Sequence, residues 1–155
     1  MPTQSTDSIP DVLARLRNHL TQVPEHLVQL SEAELIQKIP GKWSRKEILG
    51  HLIDSALNNL KRFTDAQFAS GSYVIQRYSQ DNLVLVNRYQ ELPLNHLLAL
   101  WHSLNQQILY VAEAIPVDLL EKPVQIGQVP SEGLTLSWLI DDYVVHLEHH
   151  LKTLL

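Results

Sequence analysis

Two histidines four residues apart, His146 and His150, lie in the run Asp142-Tyr-Val-Val-His146-Leu-Glu-His149-His150. On a helix this spacing stacks the two imidazoles on one face, about 5–6 Å apart at Cβ. Neutral imidazoles so placed can converge on one divalent ion. Taken alone, the pair fits equally well a polar helix face with fortuitous metal affinity. A third histidine adds weight: His51 interrupts an apolar helical face in Gly50-His-Leu-Ile-Asp54, between Ile48 and Leu52. A single histidine on such a face is ordinarily a core residue bonded to a carbonyl or carboxylate. With His146 and His150 also aimed inward, three imidazoles with open positions make a catalytic type of metal site.

Carboxylates near these histidines are the next candidates. Asp54, at i+3 from His51, is the candidate catalytic residue, able to orient that imidazole or accept a proton. A helix-surface carboxylate near Lys61 or Arg62 is the alternative. Asp142, one turn before His146, invites the same two readings, because Asp141 and Asp142 also suit the N-terminal half of a helix through its dipole. Tyr143 is read as a core or pocket-wall residue, and Trp43, Trp101 and Trp138 as packing anchors. His19, His26, His96 and His102 have no partner at ligand spacing and are read as surface residues. His149 either flanks the site or is solvated.

The chain of 155 residues has eight histidines and no cysteine. Disulfides, zinc–thiolate sites and a cysteine nucleophile are excluded together. Any metal must rely on imidazole and oxygen ligands, and three imidazoles suit zinc, nickel or iron, with copper also compatible. Charge is 12 basic against 17 acidic residues, net −5. There is no basic stripe to neutralise phosphates, so nucleic acid is not an expected partner. The polar N-terminus lacks the apolar core of a signal peptide, and no apolar run approaches the roughly 20 residues that span a bilayer. No membrane partner and a cytoplasmic location are the expectations.

Four amphipathic helices must position these side chains, in a single domain over residues 1–155. The first opens at Ser8, with Pro10 in its first turn and Val12, Leu13, Leu16 and Leu20 at helical spacing. Pro24 is expected to bend or restart it. Ser31-Glu-Ala-Glu34 reads as a capping box for a short helix. The second long helix starts at a further capping box, Ser44-Arg-Lys-Glu47, with Trp43 and Ile48 as a hydrophobic staple, and should run to about Phe68. Residues 71–92 form a long connector with helical character near Asp81–Tyr89. The third helix follows Pro93 and ends at Pro116. Residues 117–134 read as an irregular connector with a short hairpin, and the last helix starts near Thr135.

The histidines constrain how these helices are arranged. His51 lies roughly 10 Å from the start of the second helix, and His146 and His150 lie near the end of the last. Those levels coincide only if the two helices run antiparallel. An all-α, up-down-down-up four-helix bundle satisfies this, with a long crossover between helices 2 and 3 that the 71–92 connector is long enough to make.

Trp43-Ser-Arg-Lys-Glu-Ile-Leu-Gly-His-Leu-Ile-Asp54 resembles the second-helix signature of the DinB-like superfamily, in the branch that includes YfiT-type proteins. Thr135-Leu-Ser-Trp-Leu-Ile-Asp-Asp-Tyr-Val-Val-His-Leu-Glu-His-His150 resembles its last-helix signature, and Tyr78-Ser-Gln-Asp81 and the helix from Pro93 are similar to the corresponding family segments. The resemblance implies an up-down-down-up bundle, often a homodimer, with a divalent metal held by three histidines. Carried over by position, these are His51, His146 and His150. It also implies a small-molecule substrate. Some members are thiol-dependent S-transferases or isomerases that use a low-molecular-weight thiol, and many are described as metal-dependent hydrolases.

On this basis the leading expectation is a metal-dependent enzyme that transfers a low-molecular-weight thiol to an electrophile. Hydrolysis by metal-activated water is the first alternative. A non-enzymatic, metal-binding dimeric bundle is the second. A structural zinc site is normally closed by four protein ligands, and only three good ones are found here.

Overall fold

The hydroxyl of Ser44 accepts a hydrogen bond from the Glu47 amide, and the Glu47 carboxylate reaches back to the Ser44 amide. That box starts α3, Arg45–Asp65, the central helix of the protein in the computed structural model, which describes residues 7–128 and 132–155. Ser8 and Ser31 start α1 (Ile9–Leu27) and α2 (Glu32–Ile36) in the same local way. Thr135 does so for α7 (Leu136–Leu154), accepting from the Trp138 amide. Pro24 neither breaks nor restarts α1. It sits in the last turn, where it forgoes one N–H bond to the Leu20 carbonyl, and its own carbonyl still accepts from the Val28 amide.

Between α3 and α7 the chain makes β1 (Tyr73–Ile75), α4 (Gln80–Val86), a 3-10 turn at Tyr89–Glu91, α5 (Leu94–Glu113), α6 (Val117–Leu120) and β2 (Val124–Ile126). α3 ends three residues before Phe68, at Asp65, and α5 ends before Pro116, which begins α6. The long helices α1, α3, α5 and α7 form the bundle. α3 packs on α5 and α7, and α1 closes the opposite side against the same two helices.

Contacts along the seams give the directions. Arg45, at the start of α3, bonds the Leu154 carbonyl at the end of α7, whereas Phe63, near the end of α3, stacks on Tyr143 near the start of α7. α3 and α7 are therefore antiparallel. Gln90, just before α5, meets Ser44, just before α3, and Asn105 within α5 accepts from Tyr143 at the level of Phe63. α3 and α5 are therefore parallel. The order is up-down-down-up, and the 71–92 connector makes the crossover.

The hairpin expected in residues 117–134 is replaced by a different pairing. β2 pairs in parallel with β1 of the crossover, Tyr73 opposite Val124 and Ile75 opposite Ile126. The Tyr73 amide donates to the Pro123 carbonyl, and the Lys122 amine reaches the Ala69 carbonyl. Part of the second connector does fold back, since Val124 donates to Leu134 and Pro123 bridges Thr135. The two connectors are thus tied together and to the start of α7. Residues 129–131 of the second connector lie outside the described residues.

The core is largely apolar, with His51, Asp54, Ser55, Asn59 and Asn105 as buried polar residues within it. Trp101, Phe63, Leu16, Leu49, Leu52, Leu97 and Ile140 are fully buried. Trp101 is the packing anchor expected of it. Among the described residues, no helix is long and apolar enough to cross a membrane.

Candidate metal centre

Residues 46–56 of α3 are buried without interruption, so His51 enters the structure wholly enclosed, at 0% exposure. Opposite it, the antiparallel α7 presents His146 and His150, both half-buried, from successive turns. The Nε2 atoms of His51 and His146 are 3.5 Å apart, and those of His146 and His150 are 3.2 Å apart. One ligand atom from each residue lies within 4.8 Å of the others. These separations bracket the distance of about 3.3 Å expected between nitrogens around a tetrahedral ion bound at about 2.05 Å.

Three imidazole nitrogens facing one another have too few protons to satisfy them all. A neutral ring has a single N–H, and a lone pair on its other nitrogen. A cation among the lone pairs resolves the arrangement, and the donor set fits a divalent transition metal. Their surroundings favour the neutral rings that such ligation needs. Burial, with His150 and His146 close by, pushes the His51 imidazole down to about 3. Burial, with His150 and His149 close by, pushes His146 down to about 4. His150 is lowered by burial and by His149. His149 itself is exposed and stacks edge-on to His150, with ring centroids 5.5 Å apart.

Trp43, expected to be a packing anchor, walls the site. Its ring lies 4.8 Å from that of His51 and 6.4 Å from that of His150, and it stays half-buried at the rim of a cleft. Asp54 is buried but does not orient His51. Its Oδ1 accepts from the Tyr89 hydroxyl at 2.6 Å and from Asn87 Nδ2 at 3.3 Å, and the His51 Nδ1 has no hydrogen-bond partner among the described residues. The reason is helical rotation: three residues turn the chain by about 300°, so the Asp54 side chain leaves α3 about 60° away from His51. The surface position near Lys61 and Arg62 is equally absent, because the crossover covers this face. Burial raises the Asp54 carboxyl against the two donated hydrogen bonds. It also pushes the Tyr89 hydroxyl up, with the Asp54 carboxylate adding to the shift. Asp54 thus tethers the crossover to α3. Gly50 makes the same contact possible, since a Cβ there would lie 2.1 Å from Tyr89 Cδ2.

Two clefts reach the histidines along the α3–α7 seam. One, of about 680 Å³, runs from His150 past Trp43, Ile48 and Arg45 to Lys42 and Gln37. The other, of about 430 Å³, runs from His146 past Tyr143, Asp142, Ser55 and Asn59 to Arg62, Arg77 and Tyr78. Tyr143 is both core and pocket wall. Asp142 stands at the second cleft, outside the three-histidine group. His19 departs from the expected surface role, bonding Glu148 at 2.9 Å on the far side of α7, while His26, His96 and His102 are exposed. Trp43, Arg77 and Tyr78 were missed as site residues. Ser55 and Asn59, polar positions on an otherwise apolar helical face, were the available signal for the second cleft.

Residues 12–154 match the sequence profile of the DinB superfamily. The chain belongs to this family. Its fold is similar to that of YfiT from Bacillus subtilis, described as a probable metal-dependent hydrolase with an unusual four-helix bundle topology. The TM-score is 0.84 at 16% identity, over 97% of this chain and 86% of that one. The DinB fold here is also similar to the mycothiol-dependent maleylpyruvate isomerase, with a TM-score of 0.67 at 16% identity, over 97% of this chain and 62% of that one. No curated protein matches the chain.

Proposed function

We propose that this DinB protein is a divalent-metal-dependent enzyme that joins a low-molecular-weight thiol to a small electrophile. His51, His146 and His150 hold the metal through Nε2, with zinc, nickel or iron as the candidate ions. The observation that carries the reading is that two separate clefts meet at one three-histidine cluster, an arrangement suited to two substrates arriving from either end of the seam. Within the described residues, no carboxylate joins the three histidines, so the protein supplies three ligands and leaves a position open, as catalytic sites do.

A divalent ion held there supplies positive charge that favours the thiolate form of an incoming thiol, or equally lowers the pKa of water. The chain does the rest. Burial keeps the three imidazoles unprotonated and ready to ligate. Trp43 covers one side of His51 and limits water. Tyr89, Asp54 and Asn87 hold the crossover that forms the second cleft. The absence of cysteine means that sulfur must come with the substrate. The YfiT description supports a hydrolytic reading of the same site, and the test separates the two. Metal-loaded protein is incubated with a thiol and an electrophile, and adduct formation is followed against the metal-free control. Adduct formation above that control is expected. No rate above the control removes thiol transfer, and metal-dependent consumption of an ester or amide without thiol selects hydrolysis.

A further inference from the structure

We infer that the cleft beside His146 is a carboxylate-binding subsite, with Arg62 and Arg77 receiving an anionic group of the electrophilic substrate. This deepens the proposed function and rests on it for the word electrophile. The binding claim stands on the cleft alone.

Arg62 is half-buried, with its guanidinium carbon 5.5 Å from the centre of the Tyr78 ring. Its Nη2 donates to the Gln76 carbonyl at 2.5 Å and its Nη1 to Asn59 Oδ1 at 3.4 Å. A guanidinium has five N–H donors, so three remain without a partner among the described residues. Nor does Arg62 form an ion pair there, whereas Arg15, Arg17, Arg88, Lys38, Lys46 and Lys61 all do. A half-buried cation on an aromatic face, with donors to spare and a place in the lining of a cleft, is placed to receive an anion. Burial lowers its pKa, against the opposing influence of Tyr78, Tyr73 and Asp142.

Arg77 lines the same cleft and makes no ion pair among the described residues. One acidic side chain, Asp142, shares the cleft without pairing with either arginine. Two guanidinium groups against one carboxylate leave a single net positive charge. That balance suits a monoanion better than a doubly charged phosphate. The planar fork of Arg62 matches the two oxygens of a carboxylate. With about 430 Å³ of space, the subsite takes a short-chain acid.

The test uses the full chain, both chelator-treated and zinc-loaded, titrated with butyrate and with its neutral analogue butyramide by protein NMR. Saturable butyrate binding to the metal-free protein is expected, with shifts at residues around Arg62 and Tyr78. Arg62→Gln should weaken butyrate by about tenfold or more, the loss of one charged hydrogen-bonding group. Arg77→Gln, at an exposed position that leaves folding intact, should weaken it by about threefold. No saturable butyrate binding, equal affinity for butyramide, or an unchanged affinity in both variants would overturn the assignment. Phosphate binding more tightly than butyrate would overturn the carboxylate preference. Because the chelator-treated arm contains neither metal nor thiol, its failure is independent of whether thiol transfer occurs.

Discussion

The two faces of α7 use the same residue types for opposite ends. Toward α1, Glu148 bonds Arg15 at 2.6 Å and His19 at 2.9 Å, and Asp141 lies 3.4 Å from Arg15. Toward α3, the Nε2 atoms of His146 and His150 face each other, and that of His146 faces His51. Every cation on the first face has an anion, so the network is saturated and clasps two helices. On the second face no carboxylate bonds the histidines among the described residues, and three imidazoles are left with unused lone pairs. A histidine's surroundings differ by what faces it: paired with Glu148 it is a clasp, and gathered with its own kind it is a candidate ligand set.

The sharpest way to break the contrast is to remove one imidazole from the α3 face. His146→Ala should lower metal affinity by more than the 10–100-fold typical of losing an outer hydrogen-bond partner, with helicity retained. Elemental analysis of untagged protein and a chelator competition measure it. His51→Ala and His150→Ala should behave alike, and full metal content in all three variants would refute the ligand set. Gly50→Ala attacks the wall behind the ligands. The added methyl collides with the Tyr89 ring, and a loss of about 1–3 kcal/mol is expected on urea unfolding.

Acid should separate the two faces by pH window. Ordinary histidines titrate near 6.5, whereas His51 is held down to about 3 and His146 to about 4. Between these values the unfolded chain binds more protons, so the metal-free fold loses stability as pH falls from about 6.5 towards 3. Burial pushes Glu148 up, but its bonds to Arg15 and His19 outweigh this and hold it below its ordinary value of 4.5. Its contribution is present above 4.5 and is lost only as pH falls through the lowered value. Melting the metal-free protein across pH should show the first loss already at pH 5–6, and His51→Gln should remove part of it. The smallest effect belongs to the clasp itself. Glu148→Gln should cost about 0.5–1 kcal/mol at neutral pH, the scale of a partly exposed ion pair, and leave metal content unchanged. A fall in metal content would show that the faces are coupled.

Local chemistry made much of the fold legible. The capping boxes at Ser31 and Ser44, and the caps at Ser8 and Thr135, act over three residues, so the sequence alone exposes where those helices begin. His51, His146 and His150 were legible because helical spacing brings the last two together and because a histidine on an apolar face is conspicuous. Asp54 was misplaced for want of its partner: Tyr89 is 35 residues away and reaches it only through the crossover. Trp43 reads as a packing anchor because a staple residue and a pocket wall look alike in sequence.

What the sequence determined by itself is whatever short-range periodicity and capping control: four long helices, their starts, and three imidazoles at levels that require α3 and α7 to be antiparallel. The absence of cysteine set the ligand chemistry in advance. Tertiary structure alone decided the rest. β1 and β2 pair across about 50 residues of chain, Tyr89 lies against Gly50, and Arg62 meets Tyr78 in a cleft where it forms no ion pair among the described residues. Such contacts depend on which segments the folded bundle brings face to face, and loop closure over tens of residues leaves no periodic trace in the residues that make it.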